Sequence, residues 1–97
     1  MYIVRDIFQL KFGHFRDAKM LFDQAKQKNM FPETNAFRIL SDFTGESYRL
    51  ILEMGFDTLG DYEKSMTSGM GEADWKKWYE DFKQHVVSSY REILKEV

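Results

Sequence analysis

Three residues stand out as groups able to move a proton: the only two histidines, His14 and His85, and Asp6, a carboxylate set inside an apolar stretch. Imidazole is the side chain whose ordinary titration falls near neutrality, so either histidine could serve as a general base. A capping, surface or packing role is the plainer alternative for each. His85 is the better candidate, because it falls one turn beyond Phe82 and two beyond Trp78, and a cation there favours the end of a helix dipole. Asp6 breaks the otherwise apolar face of Tyr2, Val4, Phe8 and Leu10. A carboxylate in such surroundings needs a partner or a raised pKa, which is also how a catalytic acid or base is made. A satisfied buried aspartate, or a bulge turning it outward, is the competing reading.

Other chemistries find no residues. Two histidines exclude a multi-histidine metal centre within one chain, although carboxylates could complete a site, so no metal and no cofactor are expected. The chain has no cysteine, which removes disulfides, thiolate catalysis and zinc–cysteine sites together. No Ser-His-Asp signature, P-loop, dinucleotide fingerprint or HExxH motif occurs.

Trp75, Trp78, Tyr79, Phe82 and Val86 recur at spacings of three and four, an aromatic stripe along a helix from about Asp74 to Val86. Such a stripe is most simply a core face. It could also wall a cleft for a flat apolar ligand, with the Tyr48, Tyr62 or Tyr90 hydroxyls as orienting groups.

These residues must be positioned by strands and helices, and the periodicity predicts both. Tyr2 to Lys11 alternates and Gly13 punctuates it, a first strand. From His14 the period turns helical, with Phe15, Ala18, Phe22 and Ala25 on one face, and Asn29 and Pro32 end the helix. Thr34 to Phe43 and Glu46 to Met54 read as two strands joined by a tight turn at Thr44-Gly45. Thr58 can cap a helix with Asp61 three residues on, residues 67–71 break it, and the aromatic helix follows. Ser88 to Val97 alternates again as a last strand, with a continued helix as the rival reading. The order is therefore βαββαβ, a single α+β domain over residues 1–97 of ferredoxin-like layout, with a four-stranded antiparallel sheet and helices on one face.

Each predicted strand carries one arginine: Arg5, Arg38, Arg49 and Arg91. If Phe43 faces Glu46 in the hairpin, Phe37 faces Leu52 and Ile39 faces Leu50 on an apolar face. The opposite face then gathers Arg38, Leu40, Asp42, Arg49, Ile51 and Glu53, with Arg38 diagonal to Glu53 and Arg49 diagonal to Asp42. A slip by one residue would mix these charges into the core. A monomer would leave Leu40 and Ile51 in water, so this face is expected to be a homodimer interface organised by paired charges. An anionic ligand clamped by the arginines is the alternative.

Fourteen basic and sixteen acidic residues are interspersed, for a net charge of −2, with no basic footprint for nucleic acid and no polybasic contact for a membrane surface. Nine Phe, five Tyr and two Trp argue for a packed core. No apolar run reaches signal-peptide or membrane-spanning length, so a cytoplasmic protein is expected.

Lys11-Phe12-Gly13 after the first strand, then Tyr48-Arg49-Leu50-Ile51-Leu52-Glu53-Met54, Phe56, Thr58-Leu59, Tyr62-Glu63, and Tyr90-Arg91-Glu92-Ile93-Leu94 resemble the NIPSNAP-like branch of the dimeric α/β-barrel superfamily. The chain departs from that branch at Phe12, where proline is usual, and at Asp6, where aligning on Gly13 puts the branch's first-strand arginine. The resemblance implies two subunits packed sheet against sheet, each with a small-molecule cleft between sheet and helices. It also implies that the chain binds itself and a small apolar or aromatic molecule, or acts as a cofactor-independent monooxygenase or isomerase, or is a purely structural homodimer. Haem-degrading relatives use a Trp, His and Asn set, and neither Asn29 nor Asn35 lies in the first strand to supply it.

Overall fold

A computed structural model describes residues 1–31, 34, 36–67 and 72–97. The expected helix stop at Pro32, the Asn35 position and the helix break over residues 68–71 lie outside the described residues. The elements follow the order β1 (Tyr2–Leu10), α1 (Phe15–Gln27), β2 (Ala36–Ser41), β3 (Arg49–Phe56), α2 (Leu59–Thr67), α3 (Glu72–Lys83) and β4 (Val86–Lys95). The strands form one antiparallel sheet in the order β2-β3-β1-β4. This is the ferredoxin-like α+β arrangement, and its last segment is a strand.

Local chemistry sets the element ends. Gly13, at φ 82°, makes the turn that leaves β1, a backbone region that a side chain resists. Helix α1 closes with Asn29 in the left-handed region at φ 54°, and the Met30 N–H donates to the Ala25 carbonyl. The Thr58 hydroxyl accepts the Asp61 N–H at 3.0 Å, capping α2 as its sequence suggests.

One sheet face takes Val4, Phe8, Leu10, Leu50, Leu52, Met54 and Phe56, against which α1 lays Ala18, Phe22 and Ala25 and α3 lays Trp78 and Phe82. Alternation sends the odd residues of β1 to the other face, where the strand register builds rows across all four strands. Leu40, Ile51, Ile7 and Tyr90 form an apolar row. Beside it Arg38, Glu53, Arg5 and Glu92 alternate in sign, and Ala36, Gly55, Ile3 and Leu94 form the next row.

The β2–β3 connection corrects the expected hairpin. Its register lies two residues from the one expected: Phe37 faces Met54, Ile39 faces Leu52 and Arg38 faces Glu53. A shift of two keeps every side chain on its expected face, so facial patterning does not distinguish the two registers. The turn is a loop over residues 42–48 rather than two residues, with Ser47 and Tyr48 both at positive φ. Two polar groups favour this arrangement. Asp42 accepts from Arg49 Nη2 at 2.7 Å, and Glu53 becomes the direct cross-strand partner of Arg38.

Glu53 is nearly buried within the single chain and accepts from Arg5 Nε at 2.8 Å and from Arg38. Burial by itself would push its carboxyl up, but the Arg38 and Arg5 hydrogen bonds outweigh that and hold it below its ordinary value. The Arg49 hydrogen bond likewise lowers Asp42, against a smaller opposing effect of burial. A lowered folded-state pKa contributes stability above the unfolded-state value, lost as pH falls through the folded one. The melting temperature is therefore expected to be level from neutrality to about pH 5 and to fall below about pH 4. Glu53→Gln should lower it at pH 7 and flatten that acid limb, as scanning calorimetry across pH would read.

Candidate functional site

Between the sheet and α3 lies a cleft of about 590 Å³, a volume suited to a small organic ligand. Its wall is an aromatic ladder. Trp75 stacks on Trp78 with ring centres 5.3 Å apart, Trp78 on Phe82 at 5.0 Å, and Phe82 meets Phe22 at 5.0 Å. The stripe read from the sequence thus serves two purposes. Trp78 and Phe82 are buried, and the Trp78 indole N–H donates to the Leu21 carbonyl at 2.8 Å, whereas Trp75, at 39% exposure, and Tyr79, at 48%, stand at the mouth with Met66.

The polar end of the cleft is built on β1 and β4. Asp6 is on the helix face of β1, directly opposite Arg91 of β4, whose Nε donates to it. The same guanidinium donates through Nη1 to the Tyr62 hydroxyl of α2, and Tyr62 rests its ring on Phe56 at 5.5 Å. Asp6 holds Arg91 above its already high ordinary value, so the cation is permanent. Tyr62 itself stands outside the residues that line the cleft, and its hydroxyl oxygen holds the Arg91 guanidinium in place from behind. The arrangement can hold an apolar ring along the ladder and hydrogen-bond an oxygen at one end.

The structure brings together Asp6, Trp75, Trp78 and Phe82 around this cleft with Arg91, which the sequence marks only as one of four strand arginines, while Tyr62 reaches the site only through Arg91. Tyr90 borders it through the strand, while its pairing with Ile7 turns the ring to the far face. Tyr48 is elsewhere: its ring lies 4.9 Å from that of Phe12, beside a shallower depression of about 310 Å³ lined by Phe15, Phe43 and Arg49. His85 is not among the cleft residues. It meets His14 past the end of β1, with Nδ1 atoms 2.9 Å apart, while Phe8, one place along the helix face from Asp6, packs edge-on against Phe22 and Phe82. Of the expected interface residues, Arg38, Leu40, Ile51 and Glu53 lie on the far face, with Arg49 and Asp42 paired at its end. Among the described residues there is no group of three or more His, Asp or Glu side chains placed to hold a metal, and no helix is long and apolar enough to cross a membrane.

The fold recurs in solved structures. A protein of Agrobacterium tumefaciens superposes with a TM-score of 0.85 at 12% identity, over 100% of this chain and 94% of its own. A NIPSNAP family protein of the same organism gives 0.82 at 16%, with the same coverage. A putative antibiotic biosynthesis monooxygenase from Nitrosomonas europaea gives 0.73 at 16%, over 100% of this chain and 99% of that one. No protein-family model and no curated protein sequence matches the chain. The chain therefore has the fold shared by NIPSNAP family proteins and antibiotic biosynthesis monooxygenases.

Proposed function

We propose that this protein is a homodimer, joined sheet to sheet, that binds a small apolar or aromatic molecule in the cleft of each subunit. The observation that carries the ligand reading is the Asp6–Arg91 pair, backed by Tyr62, at one end of a largely apolar cleft. A plain core would bring its rings together over the sheet, and a polar cluster there would have nothing to orient. The dimer reading rests on the far face. Tyr90 is 58% and Leu94 40% exposed, and the charges among the apolar rows are already paired within one chain. Burying pre-paired charges costs far less than burying free ones.

The probe for the cleft is 1-anilinonaphthalene-8-sulfonate, a flat aromatic anion. It is expected to bind at about one per chain and to quench tryptophan fluorescence by energy transfer from Trp75 and Trp78. Ser89→Trp, which places a bulky ring on the cleft side of β4 opposite Phe8, should weaken this binding at least roughly tenfold, about 1.4 kcal/mol. Unchanged binding in that variant would contradict the reading and favour a purely structural homodimer.

A catalytic reading is favoured by one feature, the Asp6 carboxylate inside the cleft. With Arg91 hydrogen-bonding a ligand oxygen, Asp6 could accept a proton from an adjacent acidified C–H, the first step of an isomerase or a cofactor-independent monooxygenase. A molecule recovered from the cleft and altered by the wild type but not by Asp6→Asn would establish it. His85 could serve such chemistry only from outside the residues that line the cleft.

A further inference from the structure

We propose that His14 and His85 together form a binding site for a divalent transition-metal ion, specifically copper(II). The two histidines are 71 residues apart in sequence, yet their Nδ1 atoms lie 2.9 Å from each other. Both are half-buried. Their main chains are tied to one residue: the Lys11 N–H donates to the His85 carbonyl at 2.9 Å, and the Lys11 carbonyl accepts the His14 N–H at 3.0 Å. The His14 carbonyl in turn accepts the Ala18 N–H at the start of α1, and the His85 N–H donates to Phe82 at the end of α3. The two rings are thereby presented to each other by rigid elements on both sides.

Two imidazoles that bond only to each other are an unusual use of two good ligands. One ring donates a proton from Nδ1 and the other accepts it, and among the described residues neither Nε2 atom has a hydrogen-bond partner. Among the described residues no carboxylate is bonded to either ring to fix its tautomer. A metal ion can therefore replace the shared proton without breaking another side-chain hydrogen bond among the described residues. The proton of the donating ring moves to its own Nε2, leaving two Nδ1 lone pairs for the metal.

Among the divalent first-row ions copper(II) binds nitrogen ligands most tightly, so it is the ion that two converging imidazoles select. Seating the ion requires each ring to turn by roughly 45° about its Cβ–Cγ bond, so that the lone pairs meet on the metal rather than head-on. Water fills the remaining positions. The pair lies past the end of β1, away from the Asp6 cleft, so the inference is independent of the proposed ligand.

The full chain titrated with copper(II) chloride, with glycine as competing chelator, tests this by electron paramagnetic resonance. The expected result is one copper per chain with hyperfine coupling to two imidazole nitrogens. His14→Gln and His85→Gln should each weaken binding at least roughly tenfold and reduce the coupled imidazoles to one. Copper that binds both variants as tightly as the wild type sits elsewhere and overturns the proposal, as does a wild type that cannot compete with glycine. Should a variant lose its helical circular dichroism, the wild-type spectrum decides alone: two imidazole nitrogens support the site and fewer overturn it.

Discussion

Replacing Phe22 by alanine is expected to cost about 3–5 kcal/mol of stability, a large share of what a domain of this size possesses. Phe22 is 1% exposed and its ring touches those of Phe8, Phe31, Trp78 and Phe82. It is the point where α1, α3 and β1 share one contact, so the vacated volume has rigid walls that cannot collapse into it. Urea denaturation followed by circular dichroism would read the change as a lower midpoint. A loss under about 1 kcal/mol would mean that the cleft side chains relax into the space, and that the aromatic ladder is softer than its stacking implies.

Ile51→Glu is expected to separate the proposed dimer at micromolar concentration, weakening it at least roughly hundredfold, or about 2.7 kcal/mol. Ile51 sits between Leu40 and Ile7 in the middle apolar row of the far face. A carboxylate there has no partner in its own row, and burying it unpaired is costly. In the monomer the same residue is only half-buried, so the variant should remain folded. Sedimentation equilibrium distinguishes the outcomes. A variant as dimeric as the wild type would move the interface off this face, and a monomeric wild type would remove it.

Much of this architecture is legible in the sequence because alternation and helical periodicity report which way a side chain points. The faces of Phe37, Ile39, Arg38 and Glu53 follow from parity alone. Parity is blind to a shift of two, however, and the hairpin register turned instead on polar details: Asp42 gathering Arg49, and Arg38 facing Glu53. The loop that results places Ser47 and Tyr48 at positive φ, a conformation neither residue type advertises. The sequence marks Asp6 as a carboxylate needing a partner, but Arg91 is 85 residues away and only the β1–β4 register joins them. The meeting of His14 with His85 was more accessible. Antiparallel pairing of the first and last strands puts the end of one beside the start of the other, so residues flanking those ends share one edge of the molecule. Counting histidines underrates two that topology brings together.

The most direct test of the proposed ligand site is a crystal structure of the protein as purified, examined for electron density in the cleft. The account predicts a flat feature lying along Trp75 and Trp78, with one end within hydrogen-bond distance of Arg91. A cleft filled by its own side chains, with Trp75 and Tyr79 closed onto Phe8 and Leu52, would contradict it.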